Sequence, residues 1–88
     1  MFPMKLDGAM VLYYTSQDDY GTIQYPNGEI ADQYYYLAIC KYPKDDRYYL
    51  FCCDENYEVV SDTLHESIEE CMVVASSYKK NIVWNEAR

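Results

Sequence analysis

The chain has 88 residues, of which 15 are acidic and 7 basic, for a formal charge of −8. That balance excludes direct nucleic-acid binding, because the phosphate backbone repels such a chain and capturing it takes clustered cations, whereas Lys5, Lys41, Lys44, Arg47, Lys79, Lys80 and Arg88 are scattered. No stretch approaches the about 20 apolar residues of a membrane-spanning helix, and the length fits a single domain, residues 1–88, with a thin core.

Half of the residues are hydrophobic, enough for the chain to fold, and twelve are tyrosines against two phenylalanines and one tryptophan. Tyrosine joins an apolar ring to a polar tip and suits half-buried sheet faces and contact surfaces. The opening MFPMKLDGAM lacks the basic start and apolar run of a secretory signal, so a cytoplasmic location is expected. The four cysteines are Cys40, Cys52, Cys53 and Cys71. Each lies in an apolar pattern, two are adjacent and so point to opposite faces of a strand, and no CxxC pair exists. Buried free thiols are expected, with no metal site and no cofactor.

In chain order, residues 1–8 read as a loose lead-in. AMVLYYT (Ala9–Thr15) is a first strand, SQDDYG a polar break, and TIQY (Thr22–Tyr25) a short strand before the turn formers Pro26, Asn27 and Gly28. The composition of EIAD leaves open whether it pairs back. Tyr34–Tyr42 and Arg47–Cys53 form the clearest hairpin, turning at Pro43–Asp46. Its expected register sets Cys40 against Tyr49, Ala38 against Phe51 and Tyr36 against Cys53 on one face. On the other face Lys41 meets Tyr48, Ile39 meets Leu50 and Leu37 meets Cys52. Asp54, Glu55 and Asn56 make a second turn, with Asn56 suited to a left-handed conformation, and Tyr57–Val60 returns as the next strand. Both faces of the hairpin are apolar, so the second face is either covered by another element or open to a partner.

Ser61–Tyr78 reads as a helix, with Thr63 as N-cap and Glu66 completing a capping box. Leu64, Ile68, Cys71, Met72, Ala75 and Tyr78 make its apolar stripe, Met72-Val73-Val74 adds further apolar surface, and NIVW (Asn81–Trp84) is a last edge strand or a tail that packs back. The expected fold class is α+β: an antiparallel meander of about four or five strands with one helix packed on one face.

Chemistry is sparse. His65 has neither an identifiable nucleophile nor a cleft and reads as a surface or capping residue. Asp18-Asp19 and Asp45-Asp46 lack calcium-loop spacing, and no glycine-rich phosphate loop is present. No catalytic residue is expected, and the chain does not read as an enzyme. Tyrosines rimmed by carboxylates instead suit a docking surface for a basic protein. Asp45, Asp46, Tyr48, Asp54, Glu55 and Tyr57, which lie on or beside the hairpin turns, are the candidate contacts.

Residues 37–84 resemble a family of small acidic bacterial proteins: a tyrosine-rich hairpin, a strand, then Asp62, Thr63, His65, Ser67, Ile68, Glu69 and Glu70 opening a helix, and Trp84 near the end. In general character the group is similar to the immunity proteins of bacterial polymorphic-toxin systems. The resemblance implies an inhibitor that occludes a basic toxin such as a nuclease. The alternative is a structural or regulatory homodimer that pairs through an exposed apolar face.

Overall fold

A computed structural model of the chain describes residues 1–87. The strands are β1 (Lys5–Leu6), β2 (Ala9–Tyr14), β3 (Thr22–Gln24), β4 (Ile30–Gln33), β5 (Tyr36–Lys41), β6 (Tyr48–Cys53), β7 (Val59–His65) and β8 (Asn85–Glu86), with α1 (Ile68–Ala75) between the last two. All strand pairs are antiparallel. The main sheet runs β1-β2-β5-β6-β7, β8 lies beside β2, and β3 and β4 form a separate ribbon. The fold is therefore α+β, as expected. The main sheet has six strands rather than four or five because the two-residue strands β1 and β8 each add a strip to the same side of β2.

The hairpin adopts the expected register: Tyr36, Leu37, Ala38, Ile39 and Cys40 face Cys53, Cys52, Phe51, Leu50 and Tyr49. Tyr36–Cys40 and Leu50–Cys53 are buried throughout, so both faces of these two strands are dry. On one face Leu37, Ile39, Leu50 and Cys52 pack with Cys71 and Ala75 of α1, flanked by Ile82 and Trp84. On the other, Tyr36, Ala38, Cys40, Phe51 and Cys53 are covered by Phe2, Leu6, Ala9 and Val11.

That second cover corrects the reading of residues 1–8 as a loose lead-in. Phe2 is only 8% exposed. Its ring stacks on Tyr14 at 4.6 Å and meets Tyr36 and Tyr57 edge-on at 5.7 and 5.2 Å. Asp7 and Gly8, with φ of 48° and 82°, turn the chain tightly between β1 and β2. Two consecutive positive φ values are the hairpin geometry for which Asp-Gly is well suited. Tyr42 also donates its hydroxyl to the Asp7 carbonyl at 2.9 Å, tying this hairpin to the sheet.

The helix begins later than expected. Strand pairing continues to His65, opposite Tyr48, and the N-cap is Ser67, whose hydroxyl accepts from the Glu70 amide at 3.0 Å. The sequence holds two consecutive capping boxes, Thr63/Glu66 and Ser67/Glu70. Cross-strand pairing of Thr63 and Leu64 with Leu50 and Tyr49 decides between them, because it satisfies backbone groups that an earlier helix would have left to α1 alone. Leu64 consequently lies on β7, 39% exposed, and not in a helical stripe. In the turn before β7 the left-handed residue is Tyr57, with φ of 63°, rather than Asn56. Tyr57 stacks on Tyr36 at 4.6 Å, and that contact offsets the backbone strain.

All four cysteines are free and buried. Burial pushes the thiols of Cys52 and Cys71 up to about 11 and Cys53 to about 12, and raises Cys40 as well. Truncating Phe2→Ala should lower stability by about 3 kcal/mol in urea unfolding, and an unchanged midpoint would show that the N-terminal cover holds nothing. Because the folded thiols keep their protons more tightly than unfolded ones, stability should be unaffected below the ordinary thiol range. It should then fall as pH rises past 9.0 toward 11–12, and a Cys52→Ala, Cys71→Ala variant should lose part of that slope.

Candidate functional site

β6 connects the two turns that carry the expected contacts. Its six residues separate them by about 20 Å. Asp45, Asp46 and Tyr48 lie at one end of the sheet, and Asp54, Glu55 and Tyr57 at the other. The six residues therefore do not form one surface. Several are also engaged locally. Asp45 accepts from the Arg47 amide at 2.9 Å and pairs with its guanidinium at 3.4 Å, and the amide hydrogen bond chiefly holds its carboxyl below the usual range. Asp54 accepts from the amides of Asn56 and Glu58 at 2.8 and 3.0 Å and so builds its turn. The Tyr57 ring is packed against Phe2 and Tyr36, and Tyr48 packs toward the α1 side. Asp46 and Glu55 remain exposed, at opposite ends.

A different grouping emerges from the topology. Residues 48–78 contain no lysine or arginine but seven carboxylates: Asp54, Glu55, Glu58, Asp62, Glu66, Glu69 and Glu70. The span comprises β6, β7 and α1, so the acids lie in the β6–β7 turn, along β7 and at the start of α1. Arg47, just outside the span, is already paired with Asp45, and Lys79 lies 3.5 Å from Asp18. The opposite side, where β1 and β8 flank β2, is of mixed sign, with Lys5 on β1, Asp7 in the β1–β2 turn and Glu86 on β8. A run of carboxylates without a lysine or arginine is thus a property of the β6–α1 span. Composition alone missed this, since a net charge does not say which residues share a side.

His65 closes β7 against α1. One ring nitrogen, Nε2, lies 2.7 Å from the Thr63 hydroxyl, and Nδ1 lies 3.1 Å from a Glu70 carboxylate oxygen. The side chain is 11% exposed. With the proton on Nδ1 the ring donates to Glu70 and accepts from Thr63. Hydroxyl, imidazole and carboxylate stand in the order of a nucleophile–base relay, an arrangement that depends on His65 lying on β7 and not on a helix. Acyl chemistry further needs hydrogen-bond donors for an oxyanion and room for a substrate. The described surface depressions lie elsewhere: an open groove at Tyr42, Lys44, Asp45, Asp46, Arg47 and Glu66, a hollow at the N-terminal segment, and an apolar dent at Met10, Leu12 and Pro43. Neither Thr63 nor His65 lines any of them. What the contact does in the fold is join the end of β7 to the first turn of α1.

Among the described residues no three His, Cys, Asp or Glu side chains converge as metal ligands, and no helix is long and apolar enough to cross a membrane. No protein-family profile, curated protein or solved structure matches the chain.

In a double-mutant cycle, Thr63→Val and His65→Ala should couple by about 1 kcal/mol in unfolding free energy. Purely additive losses would show that the 2.7 Å contact contributes nothing to the joint.

Proposed function

We propose that the protein is a non-enzymatic binding module that docks a basic protein through its acidic β7–α1 side. The carrying observation is the cation-free span 48–78, in which Glu58, Asp62, Glu66, Glu69 and Glu70 follow β7 into the start of α1 while Asp54 and Glu55 occupy the turn before β7. Such a field accelerates the approach of a positively charged partner and rejects like-charged ones. Its strength depends on salt, since exposed charges are screened within about 8 Å at physiological ionic strength.

In its finer form the partner is a basic toxin such as a nuclease, and the protein is a cytoplasmic, immunity-like inhibitor. The acidity and the resemblance of residues 37–84 to small acidic bacterial proteins support that form. The homodimer alternative requires an uncovered apolar sheet face. The N-terminal segment covers that face, which favours the acidic-side reading.

The test is capture of host proteins on tagged protein at low and high salt, followed by binding of the recovered partner in purified form. We expect a basic partner whose association slows about tenfold between 0.05 and 0.5 M salt. Reversing Glu66→Lys and Glu69→Lys should slow association similarly, and Glu29→Lys should not. A partner indifferent to both salt and these reversals would overturn the reading, as would recovery of the bait alone under every condition.

A further inference from the structure

Among the described residues β7 presents the longest unpaired strand edge. It has seven residues and pairs with β6 alone, whereas β1 and β8, which end the sheet on the opposite side, have two each. A register shift at Val60, between the Cys53–Val59 and Cys52–Ser61 pairs, bends its start, leaving Ser61–His65 as an unbroken run. An edge of this kind carries main-chain donors and acceptors turned toward water, the template that a further strand uses.

The side chains along the edge state what that strand must be. Asp62 and Leu64 lie opposite Phe51 and Tyr49, on the face away from α1. Glu66 lines the groove beside Tyr42 on the same face. The sequence along that face is therefore carboxylate, exposed leucine, carboxylate. Two copies of the chain are poorly suited to each other here. Asp62 is the midpoint of Val59–His65, so antiparallel pairing over the full strand sets Asp62 against Asp62 and Glu58 against Glu66. Directly opposed side chains sit about 5 Å apart, where like charges are destabilising. Carboxylates and a bulge are also the devices that guard an edge against aggregation. This guard is selective by sign: it repels copies of the chain and attracts a strand of opposite charge.

We propose that β7 is a strand-addition site for an extended basic segment of a partner, one with two lysines or arginines four residues apart flanking an apolar residue. The basic side chains face Asp62 and Glu66, the apolar one meets Leu64, and the main chain extends the sheet beyond β7. The inference rests on the acidic-side reading of function and adds to it a recognition mode.

The probe is a nine-residue synthetic peptide of alternating lysine, threonine and valine in the Lys-x-Val-x-Lys pattern. It is compared with the same peptide N-methylated at two adjacent central amides, which keeps the charge and blocks both strand edges. At low salt the parent peptide should slow amide exchange within Ser61–His65. The methylated form should bind about tenfold more weakly, and so should the parent against an Asp62→Lys protein. Equal binding of the two peptides overturns strand addition while the acidic-side reading stands, because charge alone then accounts for the contact. Binding of neither peptide, protection confined to other elements, or a free protein that is already a dimer with Ser61–His65 protected each overturns the inference as well. The acidic-side reading itself falls only with the partner's response to salt and charge reversal.

Discussion

The rest of the structure depends on the burial of β5 and β6 on both faces. Two adjacent strands with no wet face demand two covering layers, and this chain has one helix of eight residues to offer. The second layer is improvised from the N-terminal segment and from rings. Phe2, Leu6, Tyr14 and Tyr57 close over Tyr36, Ala38 and Phe51, with Phe2 stacked on Tyr14 and Tyr57 on Tyr36. An abundance of tyrosine is what such a thin layer needs. Each ring buries a large apolar area while its hydroxyl reaches a polar partner at the rim. Tyr42 finds the Asp7 carbonyl, Tyr20 the Ser16 carbonyl and Tyr36 the Gln17 side chain. The Tyr36 hydroxyl is held protonated up to about 12, first by its hydrogen bond with Tyr57 and then by burial.

How far the sequence can be read follows from which signals are local. The β5–β6 register was legible because side chains alternate with period two and Pro43 fixes where the turn must fall. The start of α1 was not, since Thr63/Glu66 and Ser67/Glu70 are equally good caps. The choice between them is made by β6, a strand at a distance in sequence. The N-terminal hairpin did carry a local signal in Asp7-Gly8. It was obscured because the flanking strand, Lys5–Leu6, is too short to show a period. Tyr57 taking the left-handed position in place of Asn56 could not be read at all. Its reason lies in Phe2 and Tyr36, contacts that exist only after the sheet has formed.

The candidate contacts fared in the same way. Choosing carboxylates and tyrosines near the turns picked residues that build those turns, as the Asp45 and Asp54 hydrogen bonds show. It also divided them between the two ends of β6. The collective feature, a run from 48 to 78 without a cation, was present in the chain from the outset. It becomes a surface only because β7 is an edge and α1 starts beside it.

That concentration of charge has a physical cost, and the fold shows little sign of offsetting it. Glu69 and Glu70 gain from the helix N-terminus, and Glu70 from His65. Asp54 is used in its turn. Asp62, Glu66, Glu55 and Glu58 have no cation among the ion pairs of the described residues, and carboxylates gathered without counter-charge weaken the compact state by mutual repulsion. The core is indifferent to them: the buried clusters consist of aliphatic and aromatic side chains and inert thiols. Stability would be served equally well by neutral residues at Asp62 and Glu66, which have no partner among the ion pairs of the described residues. Solubility needs only the net charge and not its accumulation on one side. That uncompensated charge along β7 and the start of α1 is what the proposed docking of a basic partner would neutralise.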